Sequence, residues 1–261
     1  MYNVSNADGT VGKAIQVLDQ VASFRRPVRL SELLANIPFP KPTLYRLVQT
    51  LSNQGMLAFD PERQTYSMGI RLVRLAHSAW RYSSLVPVAR PYIEELAAKV
   101  GEAVHLAQLD NGHVLFVDKC KATDHFETLA QAGKIAPGYC TGVGKAILAF
   151  MPEVEQNRAL DQQSYTAYTP FTLTNRAALM TEIAQIKEDG FAYDREEHEQ
   201  GIISIACPIL NGQGRVVGAV SIATSTNRYT IKNLEKQSPN LMRSANLIGA
   251  EAELWQVPIW N

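Results

Sequence analysis

Three groups of residues in this 261-residue chain have the types and spacing for chemistry. The first lies between Lys41 and Asn53. There Pro42, Arg46, Gln49 and Asn53 share one side of a helical projection, with Thr43, Tyr45 and Thr50 on its flanks. Arg can pair with guanine and Gln with adenine, while Thr and Tyr hydroxyls and the Lys41 ammonium can reach phosphates. That is the chemistry of reading a DNA major groove, and it is also the polar side of an ordinary surface helix. The second group, Gly142-Val143-Gly144-Lys145, looks like a phosphate loop but fails the motif: Tyr139 stands where the first glycine belongs and Ala146 where Ser or Thr would. The third, Asp194, Glu196, Glu197, His198 and Glu199, offers acid–base groups or metal ligands. No second histidine lies at a ligand spacing, so a solvated loop is the expectation. Cys140 with the distant His105 offers a thiol and a base, yet a partly buried structural cysteine is the commoner state. No catalytic residue, metal ligand or cofactor is expected.

The elements that must position the first group are legible. Leu44, Leu47, Val48 and Leu51 recur at i, i+3, i+4 and i+7, the stripe of one buried helix face. The breaker-rich run Ile37-Pro38-Phe39-Pro40-Lys41-Pro42 separates that helix from a shorter one carrying Leu30, Leu33 and Leu34. Arg29 stands where Ser or Thr would complete a capping box with Glu32, which weakens that helix start. Gly55 is placed to close the second helix. Met56–Phe59 and Gln64–Ser67 then read as strands around Asp60-Pro61-Glu62-Arg63, a hairpin with Arg63 at its tip for a phosphate. Helix, turn, helix and hairpin is the order of a winged helix-turn-helix. An earlier helix with the stripe Val11, Ala14, Ile15, Leu18 and Val21 should pack on it. A later one, Ile70–Ser84, has Leu72, Leu75, Ala76 and Ala79 along one side. Its apolar side either pairs with a second copy or packs on its own chain.

Charge falls unevenly along the chain. Residues 1–85 hold ten Lys and Arg against five Asp and Glu, a balance of +5, and residues 86–261 hold fifteen against twenty, a balance of −5. Attraction to a polyanion is therefore concentrated in the head. With 46% hydrophobic and 19% charged residues, a globular protein of two domains is expected. No apolar run approaches the ~20 residues of a membrane span, and the N-terminal segment has no signal-peptide pattern. Three widely spaced cysteines, Cys120, Cys140 and Cys207, suggest neither a disulfide framework nor a CxxC metal site. A cytoplasmic protein with no membrane partner is the expectation.

Pro87 and Pro91 open the second domain, and Val88–Val100 reads as a helix that Gly101 ends. Ala103–Leu109 and His113–Lys119 read as a hairpin across Asp110-Asn111-Gly112. Phe126–Ala130 is a further candidate strand, and Lys145–Phe150 a short apolar helix entered from Thr141-Gly142-Val143-Gly144. A helix capped by Thr174 runs through Leu179, Ile183 and Ile186 to Gly190. Strands Ile202–Ile209 and Val216–Thr224 flank the turn Asn211-Gly212-Gln213-Gly214, and a last helix spans Ile231–Leu254. Strands paired by tight turns with helices around them predict an α+β domain with a largely antiparallel sheet.

Over Val11–Leu254 the chain resembles the IclR family of transcriptional regulators. The resemblance is carried by RLSELLANIPFPKPTLYRLVQTLSNQGML and TYSMGIRLVRL in the head. In the second half it rests on YCTGVGKAILAFMP, GFAYDREEHEQGIISIACPI and GRVVGAVSIATSTNRY. It implies a winged helix-turn-helix over 1–69, a linker helix over 70–85 and a GAF-like effector domain over 86–261. The implied partners are double-stranded operator DNA, a small carboxylate effector such as a sugar, keto or aromatic acid, and further copies in a homodimer or homotetramer. DNA contacts would fall on Lys41, Thr43, Tyr45, Arg46, Gln49 and Arg63. The family's ligand contacts carry over onto Gly142, Val143, Asp194, Ser204 and Ser221, taken as a helix approach, a loop and two strands. Position 204 is Ser where some members have Cys, and position 223 is Ala where some have a second Ser. The lost polar contact implies a ligand other than a two- or three-carbon keto acid. A reading from another class is a metabolite-processing enzyme with an accessory basic domain.

Overall fold

The computed structural model describes residues 9–252 apart from 84, 111 and 122–127. Its contacts fall into two compact units, Met1–Tyr82 and Ser83–Asn261. The first contains α1 (Gly9–Ser23), α2 (Leu30–Asn36), α3 (Lys41–Asn53), the hairpin β1 (Leu57–Asp60) and β2 (Thr65–Met68), and α4 (Ile70–Ser83), whose last residue falls in the second unit. The α3 stripe Leu44, Leu47, Val48 and Leu51 is buried against Leu33 of α2, Val17 and Val21 of α1, and Leu57. Of the expected α1 stripe, Val21 is buried and Ala14 and Leu18 pack against the core, but the inward line is shifted. Val17 is fully buried, whereas Val11 and Ile15 are 73% and 48% exposed. Apolar residues occupy a wider arc of α1 than its neighbours can cover, so periodicity alone did not select the inward line.

Two local devices hold this unit in register. At the start of α2 the Glu32 carboxylate accepts the Arg29 N–H at 2.8 Å and is itself paired with Arg26, which supplies half of the capping box. At the end of α3 the Gly55 N–H reaches Ser52 O and the Met56 N–H reaches Leu51 O, both at 2.9 Å. Gly55 has φ +68°, as this closure requires. The hairpin pairs Leu57 with Met68 through Asp60 with Thr65. Asp60 Oδ1 accepts the N–H groups of Glu62 and Arg63 and so shapes the tip.

The second unit contains α5 (Val86–Val100), β3 (Ala103–Asp110), β4 (His113–Cys120), β5 (Ile135–Pro137), α6 (Gly142–Phe150), α7 (Glu153–Asp161), α8 (Arg176–Asp189), β6 (Ala192–Arg195), β7 (Ile202–Leu210), β8 (Val216–Ser225), α9 (Ile231–Glu235) and α10 (Ser238–Glu251). The strands form one sheet in the order β5-β4-β3-β8-β7-β6, antiparallel at every junction. Strand alternation divides the core. Val104, Leu106, Ile203, Ile205, Val220 and Ile222 meet α5 and α10, whereas Ala107, Ala206 and Ala219 meet α6 and α8. Ser204 and Ser221 alternate with the first set and therefore lie on the α6 side.

Between β3 and β4 the pairing steps from Leu106↔Asp118 to Ala107↔Phe116, leaving Val117 as an extra residue. Such a bulge reverses the alternation. Phe116 consequently packs with the α6 side, while Asp118 turns to α5 and accepts two bonds from Arg90 Nη1 at 2.9 Å.

Several expected elements are corrected. Thr128–Ala130 is not a strand, and Phe126 lies outside the described residues; β5, three residues long, pairs with β4 instead. Asn175, not Thr174, caps α8, its side chain accepting the Ala178 N–H at 2.9 Å. Helix α5 begins at Val86, with Pro87 in its first turn and Pro91 inside it. The expected helix Ile231–Leu254 is two, α9 and α10, because Pro239 has no N–H to continue the first; Leu254 lies outside the described residues. Helix α6 begins at Gly142, so its glycines form the first helical turn rather than a lead-in.

Candidate functional site

In the first unit, α3 turns Lys41, Tyr45, Arg46 and Gln49 to solvent, with Thr43 half-buried at its edge. Tyr45 is 55% exposed, and the Arg63 side chain at the wing tip is 79% exposed. Gln49 Nε2 donates to Asn53 Oδ1 at 3.3 Å, and the Thr50 hydroxyl donates to the Arg46 carbonyl at 2.9 Å. Thr50 is thereby engaged, whereas the Arg46 guanidinium projects outward. Tyr45 and Gln49 face Phe59 and Tyr66 of the wing across an open groove.

The second unit holds a cavity of about 40 Å³, open to solvent on one side, between the start of α6 and the sheet. Thr141 caps α6: its Oγ1 accepts the Gly144 N–H at 3.3 Å and its hydroxyl donates to Pro137 O at 2.9 Å. The first helical bond is Lys145 N–H to Thr141 O. The amides of Gly142 and Val143 are thus first-turn groups with no intrahelical acceptor, and both residues line the cavity. Close approach explains the glycines. A Cβ on Gly142 would stand 2.8 Å from Ser204 Oγ, and one on Gly144 would stand 2.3 Å from Gly138 O.

Two cross-strand rows form the cavity floor. One runs Asp194–Ser204–Ala223 and the other Ala206–Ser221–His105–Lys119. All five residues singled out for a ligand, Gly142, Val143, Asp194, Ser204 and Ser221, line this one cavity. Asp194 sits on strand β6 rather than on a loop. The strand is only four residues long, and its Ala-Tyr-Asp-Arg pattern carries no alternation that would reveal it. Further walls come from His105, Phe116 and Thr128 on one side and His198, Glu199 and Ile202 on another. Of the two residues whose place at the cavity the sequence leaves open, His105 lines it and Cys140 does not.

The electrostatics are those of buried groups. His105 is buried, and desolvation followed by the nearby Lys119 pushes its pKa down to about 3, so the ring is neutral. Its Nε2 lies 3.4 Å from Thr128 Oγ1, which also receives a bond from Lys119 Nζ at 2.9 Å. Asp194 is pushed up to about 7, first by burial and then by Glu197, although the Glu197 N–H donates to its Oδ1 at 2.8 Å. Cys140 is fully buried, is not among the cavity residues, and burial raises its thiol pKa, so it stays protonated and is no nucleophile.

The acidic run is not a solvated loop. Glu197 is 3% exposed and pairs with the fully buried Lys145, which also reaches Glu182 at 3.4 Å. Glu182 in turn accepts from Arg195 at 2.7 Å. Lys145 is therefore an internal counter-ion rather than a phosphate ligand. Sequence reasoning could not pair it with acids 37 and 52 positions away. Among the described residues no group of three or more His, Cys, Asp or Glu side chains could hold a metal ion, and no helix is long and apolar enough to cross a membrane.

Comparison with known proteins agrees over both units. Residues 77–250 match the family described as bacterial transcriptional regulator IclR C-terminal, and residues 10–61 match the IclR helix-turn-helix domain. The HTH-type transcriptional regulator XynR of Escherichia coli (strain K12) is 32% identical over 219 residues, covering 84% of this chain and 87% of that protein. The HTH-type transcriptional regulator KdgR of the same organism is 28% identical over 232 residues, covering 89% and 88%. The crystal structure of the Thermotoga maritima IclR superposes with a TM-score of 0.75 at 27% identity, covering 94% of this chain and 98% of that one. A winged helix-turn-helix head joined to an antiparallel-sheet domain, matched in both parts, makes this chain a member of the IclR family of transcriptional regulators.

Proposed function

We propose that the protein is a ligand-responsive regulator of a catabolic operon and that its effector is a small organic acid. The observation that supports this reading is the convergence of Gly142, Val143, Asp194, Ser204 and Ser221 on one cavity at the start of α6. Unpaired first-turn amides and the positive end of a helix favour an anion. Ser204 and Ser221 offer hydroxyls, and the neutral His105 and Thr128 offer polar contacts for substituents further along the acid. In the head, Arg46 and Gln49 on α3 would read base edges of double-stranded operator DNA, while Lys41, Thr43, Tyr45 and Arg63 would hold phosphates. A single winged helix covers about one half-site, so two copies are needed for a palindromic operator. Exposed apolar residues on α4, Val73 at 62% and Leu75 at 46%, support pairing there into a homodimer or homotetramer.

The test is a thermal-shift screen with D-gluconate, 2-oxobutyrate and benzoate as sugar, keto and aromatic acids. It is followed by operator gel shifts with and without the acid that binds. A ligand at 100 times its Kd stabilises by about 2.7 kcal/mol, well within detection. A regulator whose melting temperature and operator affinity ignore all three classes would refute the reading.

A further inference from the structure

The charged groups around the cavity do not balance. Lys145 of α6 pairs with Glu197 and Glu182, and Arg195 pairs with Glu182. Two cations thus answer two glutamates; of the two carboxyls that line the cavity itself, Glu199 accepts the Leu129 N–H at 2.8 Å, and Asp194 has no ion pair among the described residues. What Asp194 holds is backbone N–H donors alone, that of Glu197 at 2.8 Å and that of His198. It is 8% exposed, and its strand neighbour Ser204 lies against Gly142 at the start of α6. A carboxylate resting on the α6 amides would enter the same cavity as this unpaired side chain. Two carboxylates in one site repel strongly, whereas a carboxyl beside a carboxylate makes a strong charge-assisted hydrogen bond.

We propose that effector capture takes up one proton from solvent: Asp194 enters the complex as the neutral acid and donates its O–H to the carboxylate on α6. The inference rests on the acid-effector reading above and adds its regulation, since operator release would then depend on pH as well as on effector concentration. Other titratable groups facing Asp194 do not do this work. Cys140, ahead of α6, is held protonated throughout the working range by burial. Glu197 is committed to Lys145. From β3, His105 is kept neutral with its pKa near 3, and Lys119 of β4 is bonded to Thr128 and Ala130. His198 and Glu199, in the turn after β6, also line the cavity, and burial lowers the pKa of His198. They are the competing acceptors that the experiment must separate.

The test uses the full-length protein and whichever of D-gluconate, 2-oxobutyrate and benzoate gives a thermal shift. Calorimetric titration from pH 5 to 9 should show affinity nearly level at the acid end. Above pH ~7 it should fall about tenfold per unit, the slope of one linked proton. Two buffers of different ionisation heat should report uptake approaching one proton at pH 8. With carboxyl-labelled aspartate, the infrared difference spectrum at pH 8 should gain a protonated aspartic acid band on binding. Affinity that holds or rises between pH 7 and 9 overturns the proposal and leaves the effector reading intact. Uptake without the labelled band also overturns it, because the proton then sits on His198 or Glu199. Failure of all three acids to bind at any pH overturns both.

Discussion

Replacing Lys145 with Met tests the charge network that frames the cavity. Methionine matches the length and apolar stem of lysine, so the variant removes the ammonium with little change of volume. Lys145 is fully buried and Glu197 is 3% exposed, while Glu182 retains Arg195 at 2.7 Å. The loss therefore falls on Glu197, whose Oε2 already has no hydrogen-bond partner and whose neighbour Asp194 is a second acid. Stripping one partner from a buried pair costs about 3–5 kcal/mol, because the remaining charge stays desolvated. For a unit of this size that corresponds to a melting temperature lower by roughly 6–20 °C. Scanning calorimetry of the full chain at pH 7.5 reads the shift. The double variant Lys145→Met with Glu197→Gln removes both charges and should recover most of the loss, since Gln can keep the bond from Arg195 N–H. A Lys145→Met protein that melts within 2–3 °C of the parent, a shift worth only about 1 kcal/mol, would refute the assignment of Lys145 as the internal counter-ion.

Arg46→Ala should weaken specific operator binding by about 1–3 kcal/mol if the guanidinium makes a bidentate base contact, and Gln49→Ala should alter base preference more than affinity. Parent-like gel shifts for both at matched salt would move the reader away from α3. Changing Leu72 and Leu75 together to Asp should lower oligomer order and operator affinity in step; an unchanged sedimentation profile would place the interface elsewhere. Ser221→Ala should reduce effector affinity by about 1–3 kcal/mol while apo operator binding persists. Gly142→Val, whose Cβ would meet Ser204 Oγ at 2.8 Å, should abolish the response, and parent-like titrations of both variants would exclude this cavity. Asp194→Asn should stabilise the protein more at pH 8 than at pH 4. Burial raises the folded pKa to about 7, so the parent's stability from this group is present at low pH and lost progressively between about pH 4 and 7. A gain of equal size at both pH values, read by denaturant titration, would contradict that burial effect.

The parts legible in the sequence were those with a strong local signal. The α3 stripe, the Gly55 closure and the long strands β7 and β8 each combine a clear period with a clear stop, and their register follows from which face is buried. Short elements were not legible. The strands β5 and β6 have three and four residues, too few for alternation to stand out, so Asp194 was placed on a loop. The inward line of α1 is shifted for a different reason, an apolar arc broader than the surface it covers. For the site, likeness to a family located five residues that share a cavity, but not the environment that sets their chemistry. The lowered pKa of His105 comes from burial, and the pairing of Lys145 with Glu182 and Glu197 from contacts 37 and 52 positions apart, to which no local pattern points.

The division of β7 and β8 into two faces bears on how such a regulator can change allegiance over evolutionary time. Ser204, Ser221 and Ala223 are small and look into the cavity, while Ile203, Ile205, Val220 and Ile222, their immediate chain neighbours, anchor the opposite core. A point mutation at a cavity position alters the shape and polarity of the cavity without touching an isoleucine or valine that holds the domain together. Recognition and folding are written into alternate residues of the same strands. A lineage can therefore reshape the cavity by single steps, each leaving a folded protein for selection to act on.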